Sequence, residues 1–339
     1  MKRSAIDLSA IADWHNLTSA FHRAALGKAN RAEVRLFRAS LDQELAALRE
    51  DILAGEPRLS PMRAFQIFDP KPRLIHAPVF RDRVLHHALI AHIGPVLERS
   101  LIFDTYACRV GKGTIAAVRR VQHFARRFAW YGQIDIRSYF PNIDHGILNG
   151  LLERRFKNRK LLRFLSIMMA AHGAGAGKGL PIGALTSQHF ANLYLDGCDR
   201  FFLEGCKVHG MVRYMDDTVW WTDSKKAVRA HLRAAVDFLR DRRGLEIKQP
   251  VRIGRSVHGI SYCGFRVLPG AILLSRRRRR RYADARARWE QAFERGQIDA
   301  RGLQAGYASA LGMTAASDCT AWRREQLRLV PLGSAVACA

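Results

Sequence analysis

The sequence predicts an α+β protein, on three observations. β-rich stretches stand at 130–136, 208–222 and 245–248, and segments with helical spacing of apolar residues separate them. Their order is β-α-β-β-α-β, the split arrangement whose four strands make one antiparallel sheet with both helices on one face. An arginine-rich helical region follows. With 339 residues, the chain has room for about two domains at roughly 100 to 200 residues each.

Each element has its own signal. Leu41, Leu45, Leu48 and Ile52 recur at one helical face and predict a helix over 36–52, stopped by Gly55 and Pro57. Pro70, Pro72 and Pro78 exclude a helix and predict a turn followed by a short extended segment. The helical pattern resumes over 82–97 through Val84, Leu85, Leu89, Ile93 and Val96. The first strand ends in Asp135 and Ile136, just before Tyr139-Phe140-Pro141, and a helical insertion follows at 147–172. Residues 184–202 form the next helix. Met211, Val212 and Tyr214, then Val219, Trp220 and Trp221, flank Met215-Asp216 as a hairpin. Asp223 or Ser224 caps a helix carrying Val228, Leu232, Val236 and Leu239, and Gly244 ends it. Leu245, Glu246, Ile247 and Lys248 alternate as the last strand.

Charge limits the function classes. Lys and Arg number 56 against 30 Asp and Glu, a net charge of +26, which predicts a polyanionic partner, nucleic acid first. The basic residues are spread along the chain without a long apolar face, so a membrane surface fits less well. No apolar run approaches the ~18 residues of a membrane span, and residues 1–7 do not open a secretory signal. A cytoplasmic protein is expected. The six cysteines contain no C-x-x-C pair, so buried free thiols are expected rather than a zinc ribbon or redox dithiol.

Asp135 ends the first strand and Asp216-Asp217 sit at the central hairpin turn, on strands that lie side by side in this topology. Three carboxylates so placed repel one another unless divalent cations neutralise them, and hard oxygen donors suit Mg²⁺. Two such ions serve nucleotidyl transfer by activating an attacking hydroxyl and stabilising a leaving pyrophosphate. The Gly-rich run Gly173 to Gly179 is not a phosphate loop, because Gly179 stands where Ser or Thr is needed. His86, His87 and His92 lack metal-site spacing and are expected in the core or facing RNA.

Tyr214-Met215-Asp216-Asp217 is the YMDD box of reverse transcriptases, and further blocks resemble that family's in order. They are Pro70-Lys71-Pro72-Arg73-Leu74-Ile75 with Asp82-Arg83, Tyr106-Ala107-Cys108-Arg109 with Gly111-Lys112-Gly113-Thr114, and Asp135 to Asp144. Leu180 to Asn192, Lys248 and Tyr262-Cys263-Gly264-Phe265 complete the set. Where intron and retron enzymes usually carry Gln-Gly-x-x-x-Ser-Pro, this chain has Ile182-Gly183-Ala184-Leu185-Thr186-Ser187-Gln188, which resembles the enzymes of diversity-generating retroelements. Those enzymes copy a template-repeat RNA with errors at adenines.

The resemblance implies a right-hand polymerase: N-terminal helical segment 1–60, fingers 61–130, palm 131–146 and 178–268, a helical insertion of the fingers at 147–177, and a basic helical thumb 269–339. It implies that Asp135, Asp216 and Asp217, with the backbone carbonyl of Ile136, hold two Mg²⁺ ions, and that Lys248 protonates pyrophosphate. Lys71 and Arg73 meet the incoming dNTP, with Ile182 and Gln188 nearby, and the ring of Phe140 excludes a 2′-hydroxyl. Arg109 and Lys112 are second candidates for the nucleotide. Together with Tyr214, Gly264 and the run Arg276, Arg277, Arg278, Arg279, Arg280 and Arg281, they are the expected nucleic-acid contacts. The implied partners are the template RNA, its RNA/cDNA duplex and a pentameric accessory variability protein. Alternatives are another bacterial reverse transcriptase, maturase-like or of phage defence, and an inactive RNA-binding protein on a polymerase fold.

Overall fold

A computed structural model describes residues 2–68, 72–171 and 177–331. The N-terminal helices are α1 (Leu8–Ile11), α2 (Trp14–Ala25), α3 (Ala32–Ala39) and α4 (Leu41–Ala54). The single helix expected over 36–52 is therefore two, parted at Ser40, whose ψ of 36° leaves the helical range. Gly55 closes α4 in the left-handed conformation, its N–H donating to Asp51 and Ile52 carbonyls. A hairpin of β1 (Arg63–Phe68) and β2 (Pro72–Ala77) follows, then α5 (Phe80–Glu98) and α6 (Thr114–Arg127). β1 was not expected, because it is exposed on both faces and shows no buried alternation.

The central sheet is built from β3 (Trp130–Ile134), β4 (Gly210–Tyr214), β5 (Asp217–Thr222) and β6 (Arg252–Arg255), in the order β4-β5-β3-β6, every pair antiparallel. Between β3 and β4 lie a 3₁₀ turn (Phe140–Asn142), α7 (His145–Glu153), α8 (Arg159–Ala170) and α9 (Leu185–Arg200), which runs into a π turn (Phe201–Gly205). α10 (Lys225–Arg243) joins β5 to β6; Ser224 caps its start and Gly244 its end. The predicted β-α-β-β-α-β order holds, with one correction. The fourth strand is β6, whereas 245–248 forms only a bridge, Ile136 to Ile247, with an extension of β3 beyond its ladder.

Alternation along the strands divides the core. On one face, Ile134, Met211 and Trp220 share a core with α9, α10 and the N-terminal helices. On the other, Tyr131, Val212, Val219 and Trp221 pack against α6 residues Val118, Val121 and Phe124. That second face is also covered by a small sheet of β7 (Ile260–Tyr262), β8 (Phe265–Val267) and β9 (Ile272–Leu274). The expected palm–thumb boundary at 268/269 cuts through it, since three-residue strands are too short to show a period. The last helices, α11 (Arg276–Glu294), α12 (Ala300–Gly312) and α13 (Thr320–Leu329), gather around Tyr282, Ala285 and Ala310. Described cysteines are free; Cys198 and Cys319 are buried, but Cys108 is exposed, against the expectation of buried thiols. Among the described residues no helix is long and apolar enough to cross a membrane.

The most buried cation among the described residues is Arg213 on β4, 1% exposed and paired with Asp199 of α9, equally buried. Its Nε and Nη2 donate to the two carboxylate oxygens at 2.7 Å each. Removing one partner of such a pair strands the other's charge in the core. Asp199→Asn is expected to cost about 3–5 kcal/mol of stability, read as a lowered urea midpoint.

Candidate active site

Two strand ends make the site. Tyr214 pairs with Asp217 across a two-residue turn, Met215-Asp216, in which Met215 adopts a left-handed φ of 59°. Arg213 holds that turn from below, its Nη1 donating to the Met215 carbonyl at 3.0 Å. Ile134 pairs with Thr218, so Asp135, next along the chain, emerges beside Asp217. Gln133 donates to Asp217 Oδ1 (2.9 Å) and to the Ser261 carbonyl (3.1 Å), and the Tyr262 hydroxyl donates to the Asp217 carbonyl (3.1 Å). The small sheet thereby grips the back of the turn.

Electrostatics here oppose ionisation. Burial, reinforced by Asp135, pushes the Asp216 carboxyl up to about 6, with Arg73 and Lys248 pulling the other way. Burial pushes Asp217 to about 7; the Gln133 hydrogen bond offsets part of this, while Asp135 and Asp216 add to it. Asp135 has a basic partner. Lys248 Nζ lies 2.7 Å from its Oδ2, brought there because Lys248 N–H donates to the Asp135 carbonyl in the bridge beyond β3.

Among the described residues no three His, Cys, Asp or Glu side chains stand ready to hold a metal ion, and Asp135 is paired with Lys248. Ile136 has its side chain buried and sits in the bridge to Ile247. The donor chemistry nevertheless fits a divalent cation: hard oxygens on neighbouring strand ends, two of them destabilised as anions by burial and mutual repulsion.

Around these carboxylates the predicted nucleotide contacts fall unevenly. Arg73 is exposed on β2 and close enough to act on Asp216, while Lys71 lies outside the described residues, as does most of the Gly173 to Gly179 run. Phe140 is half-buried in the 3₁₀ turn, its ring 5.6 Å from that of Tyr139 and its carbonyl accepting from Leu180 N–H at 2.9 Å. Ile182 offers its carbonyl to His76 N–H at 2.8 Å, docking its segment against β2. Gly183 makes that approach possible: its φ is 128°, and a Cβ would stand 2.7 Å from the His76 carbonyl oxygen. Gln188 is half-buried on α9.

Other expected contacts serve the protein itself. Arg109 pairs with Glu98 at 2.7 Å and donates to the Ile102 and Thr105 carbonyls, so it braces a loop. Lys112 likewise donates to the Phe103 carbonyl, its ammonium 3.3 Å from that ring's centre. The Tyr214 hydroxyl accepts from Thr114 at 3.2 Å. Gly264 completes the β7–β8 turn at φ 80°, under Arg278. Within the arginine run, Arg278 donates to the Cys263 carbonyl and covers the Phe265 ring at 4.2 Å, and Arg279 is half-buried 5.5 Å from the Trp322 ring. Arg276, Arg277, Arg280 and Arg281 are exposed. Among His86, His87 and His92, His86 is buried, with Thr186 Oγ1 3.0 Å from its Nδ1.

Sequence reasoning missed the supports of the site: Arg213, Asp199, Asn192, Gln133 and Tyr262. One signal was available. Arg213 and Gln133 are polar residues at positions where strand alternation points into a core, a rare placement unless each has a partner.

A four-stranded β-α-β-β-α-β palm with acidic strand ends, flanked by a basic helical region, defines a right-hand polymerase. Residues 68–266, more than half the chain, match the model of the family described as reverse transcriptase (RNA-dependent DNA polymerase). The chain belongs to that family. It is 26% identical over 187 residues to protein YkfC of Escherichia coli (strain K12), covering 50% of this chain and 48% of that one. It is 24% identical over 140 residues to the group II intron-encoded protein LtrA of Lactococcus lactis subsp. cremoris, covering 40% and 23% respectively. The chain thus spans about half the length of the first relative and under a quarter of the second. A solved structure of apo telomerase from Candida tropicalis, truncated from its C-terminal domain, aligns with a TM-score of 0.48 at 12% identity, over 65% of this chain and 56% of that one.

Asp216 and Asp217 hold their protons more tightly folded than unfolded, so their contribution favours folding at low pH and is lost as pH rises through about 6 and 7. In a chelator-containing buffer the urea midpoint of Asp217→Asn is expected to fall less between pH 5 and pH 8 than that of the unsubstituted protein. An equal fall in both would show that the carboxyl is not desolvated.

Proposed function

We propose that this protein is an RNA-directed DNA polymerase acting by two-metal nucleotidyl transfer. The observation that carries the reading is the placement of Asp135 beside the Tyr214-Met215-Asp216-Asp217 turn inside a chain of the reverse transcriptase family. Two Mg²⁺ ions, when bound by Asp135, Asp216 and Asp217 with the Ile136 carbonyl, would supply the charge that activates a primer 3′-hydroxyl and steadies the leaving pyrophosphate. Lys248, already at Asp135, is the proton donor to that pyrophosphate. Arg73 offsets the triphosphate charge, with Lys71 as its neighbour in sequence. Phe140 presents its ring to the sugar. The exposed arginines at the start of α11 grip the template–primer backbone.

The finer reading is error-prone copying of a template-repeat RNA for a diversity-generating retroelement, with a pentameric accessory protein as partner, in the cytoplasm. Its support is the segment Ile182 to Gln188. An isoleucine in place of the usual glutamine offers apolar contact but no hydrogen bond, and selectivity between bases depends on such bonds. The second reading, a maturase-like enzyme, is favoured by the similarity to the intron-encoded protein LtrA.

Primer extension on an RNA template with Mg²⁺ and dNTPs, followed by product sequencing, tests both. Extension is expected, reduced at least about 10³-fold by Asp216→Asn, with errors concentrated at template adenines. Accurate extension would keep the polymerase and favour the maturase-like reading; no extension would leave an RNA-binding protein. In Ile182→Gln, misincorporation opposite adenine is expected to fall about tenfold, and an unchanged error spectrum would remove Ile182 as its cause.

A further inference from the structure

The helical side of the palm carries a second basic feature that polymerisation leaves unused. A cleft of about 760 Å³ opens between α7, the π turn after α9, and the end of α10. Its charged lining is Arg154, Arg200, Arg242 and Arg243, with Glu204 and Asp241. The two carboxylates are already matched: Asp241 lies 2.8 Å from Arg240, and Glu204 lies 3.5 Å from Arg200, which also reaches Asp196. Arg154 and Arg242 are exposed and have no ion pair among the described residues.

Arg243 forms the floor and is 9% exposed. Its Nε donates to the Tyr194 carbonyl (2.6 Å) and its Nη1 to the Arg242 carbonyl (2.8 Å), but among the described residues no carboxylate pairs with it. Nη2 lies over Gly197, where a Cβ would stand only 2.3 Å away, and the hydrogen bonds of this guanidinium among the described residues run through Nε and Nη1. The glycine is what leaves room for the guanidinium. Burial depresses the Arg243 pKa, and the like charge of Arg154 adds to the effect. A nearly buried cation with a spare donor, under two further unpaired guanidiniums, lacks only its anion.

We propose that this cleft binds phosphate groups, with Arg243 at its floor and Arg154 and Arg242 at its rim. A planar guanidinium fork suits phosphate oxygens in two-point contact, and three of them accommodate neighbouring phosphates. Two sources share this chemistry: the backbone of an RNA strand crossing the helical side of the palm, and a free polyphosphate. The site does not depend on polymerase activity. Tyr194 ties it to the rest of the palm, its hydroxyl donating to the Arg243 carbonyl (2.6 Å) and accepting from Asp144 N–H (3.3 Å), just beyond the turn that carries Phe140.

The test uses the full chain, the double variant Arg154→Gln/Arg242→Gln, and a charge-matched control, Lys226→Gln/Arg229→Gln, on the exposed face of α10. Probes are a fluorescein-labelled single-stranded RNA and inorganic tripolyphosphate. The cleft variant is expected to bind RNA about tenfold more weakly than the control. Its slope of log affinity against log salt should be shallower than that of the unsubstituted chain by about 1.4, two phosphate contacts at about 0.7 each. In the unsubstituted chain, bound RNA should protect Arg154 and Arg242 from phenylglyoxal, read by mass spectrometry. Protection by RNA alone assigns the strand backbone, and protection by tripolyphosphate assigns a free polyphosphate. If neither ligand protects these arginines, or if the cleft variant and the control behave alike toward both, the cleft is not a phosphate site.

Discussion

The buried ion pair between Arg213 and Asp199 is the constraint around which the palm is arranged. The guanidinium uses all its reach: Asp199 on one side, the Asn192 carbonyl and side-chain oxygen on another, and the Met215 carbonyl above. Its own backbone accepts from Tyr106 N–H and donates to the Asp104 carbonyl, which stitches the loop before α6 to β4. Thr105 adds a hydroxyl to Asp199 at 3.1 Å. A buried pair of this kind contributes little net stability over a hydrophobic substitute, but it specifies one arrangement, because any other leaves charges unpaired in the core. Here the arrangement fixed is a strand, a helix, a loop and a strained turn, and the turn presents the acidic pair.

The same electrostatic economy runs through the molecule in two opposite forms. At the strand ends, carboxylates stand close together in partial burial, with Lys248, Gln133, Arg73 and Arg252 to moderate them. Behind the palm, guanidiniums gather without enough carboxylates among the described residues. Each cluster is unfavourable alone, and each becomes favourable with a ligand of the opposite sign, cations for the first and phosphates for the second. The net charge of +26 is thus not a diffuse property; part of it is concentrated where helices and strand ends hold it against repulsion.

The palm was legible in the sequence because its strands alternate cleanly and its hairpin is short. Met211 and Trp220 face one way, Val212 and Trp221 the other, and that alternation fixed which strand ends lie together. The acidic residues were legible for the same reason. Less legible was whatever depends on pairs distant in the chain. Lys248 carries no signal in the sequence that it meets Asp135, and its segment reads as the fourth strand, which in fact begins at Arg252, because a run of four alternating residues cannot reveal its partner. α6 received no expectation of its own, although it covers half the sheet. Arg109 and Lys112 look like free cations in a list of residues; only the fold shows Glu98, Phe103 and the carbonyls that take them. Arg213 shows the reverse, a charge that reads as a surface residue and is the most buried cation described.

The β7–β8 turn has a consequence for how force passes through the molecule. Tyr262 is bonded to the backbone of Asp217, and Arg278, three residues into α11, is bonded to Cys263 in the same turn. The first turn of the basic helix is therefore tethered to the acidic strand by a single hairpin. A swing of α11 at that end would tug on the strand bearing the carboxylates, so the start of the helix and the acidic turn keep a fixed separation. Under the proposed function, the hairpin would set the spacing between the basic helix that grips a strand and the acidic turn that lengthens it.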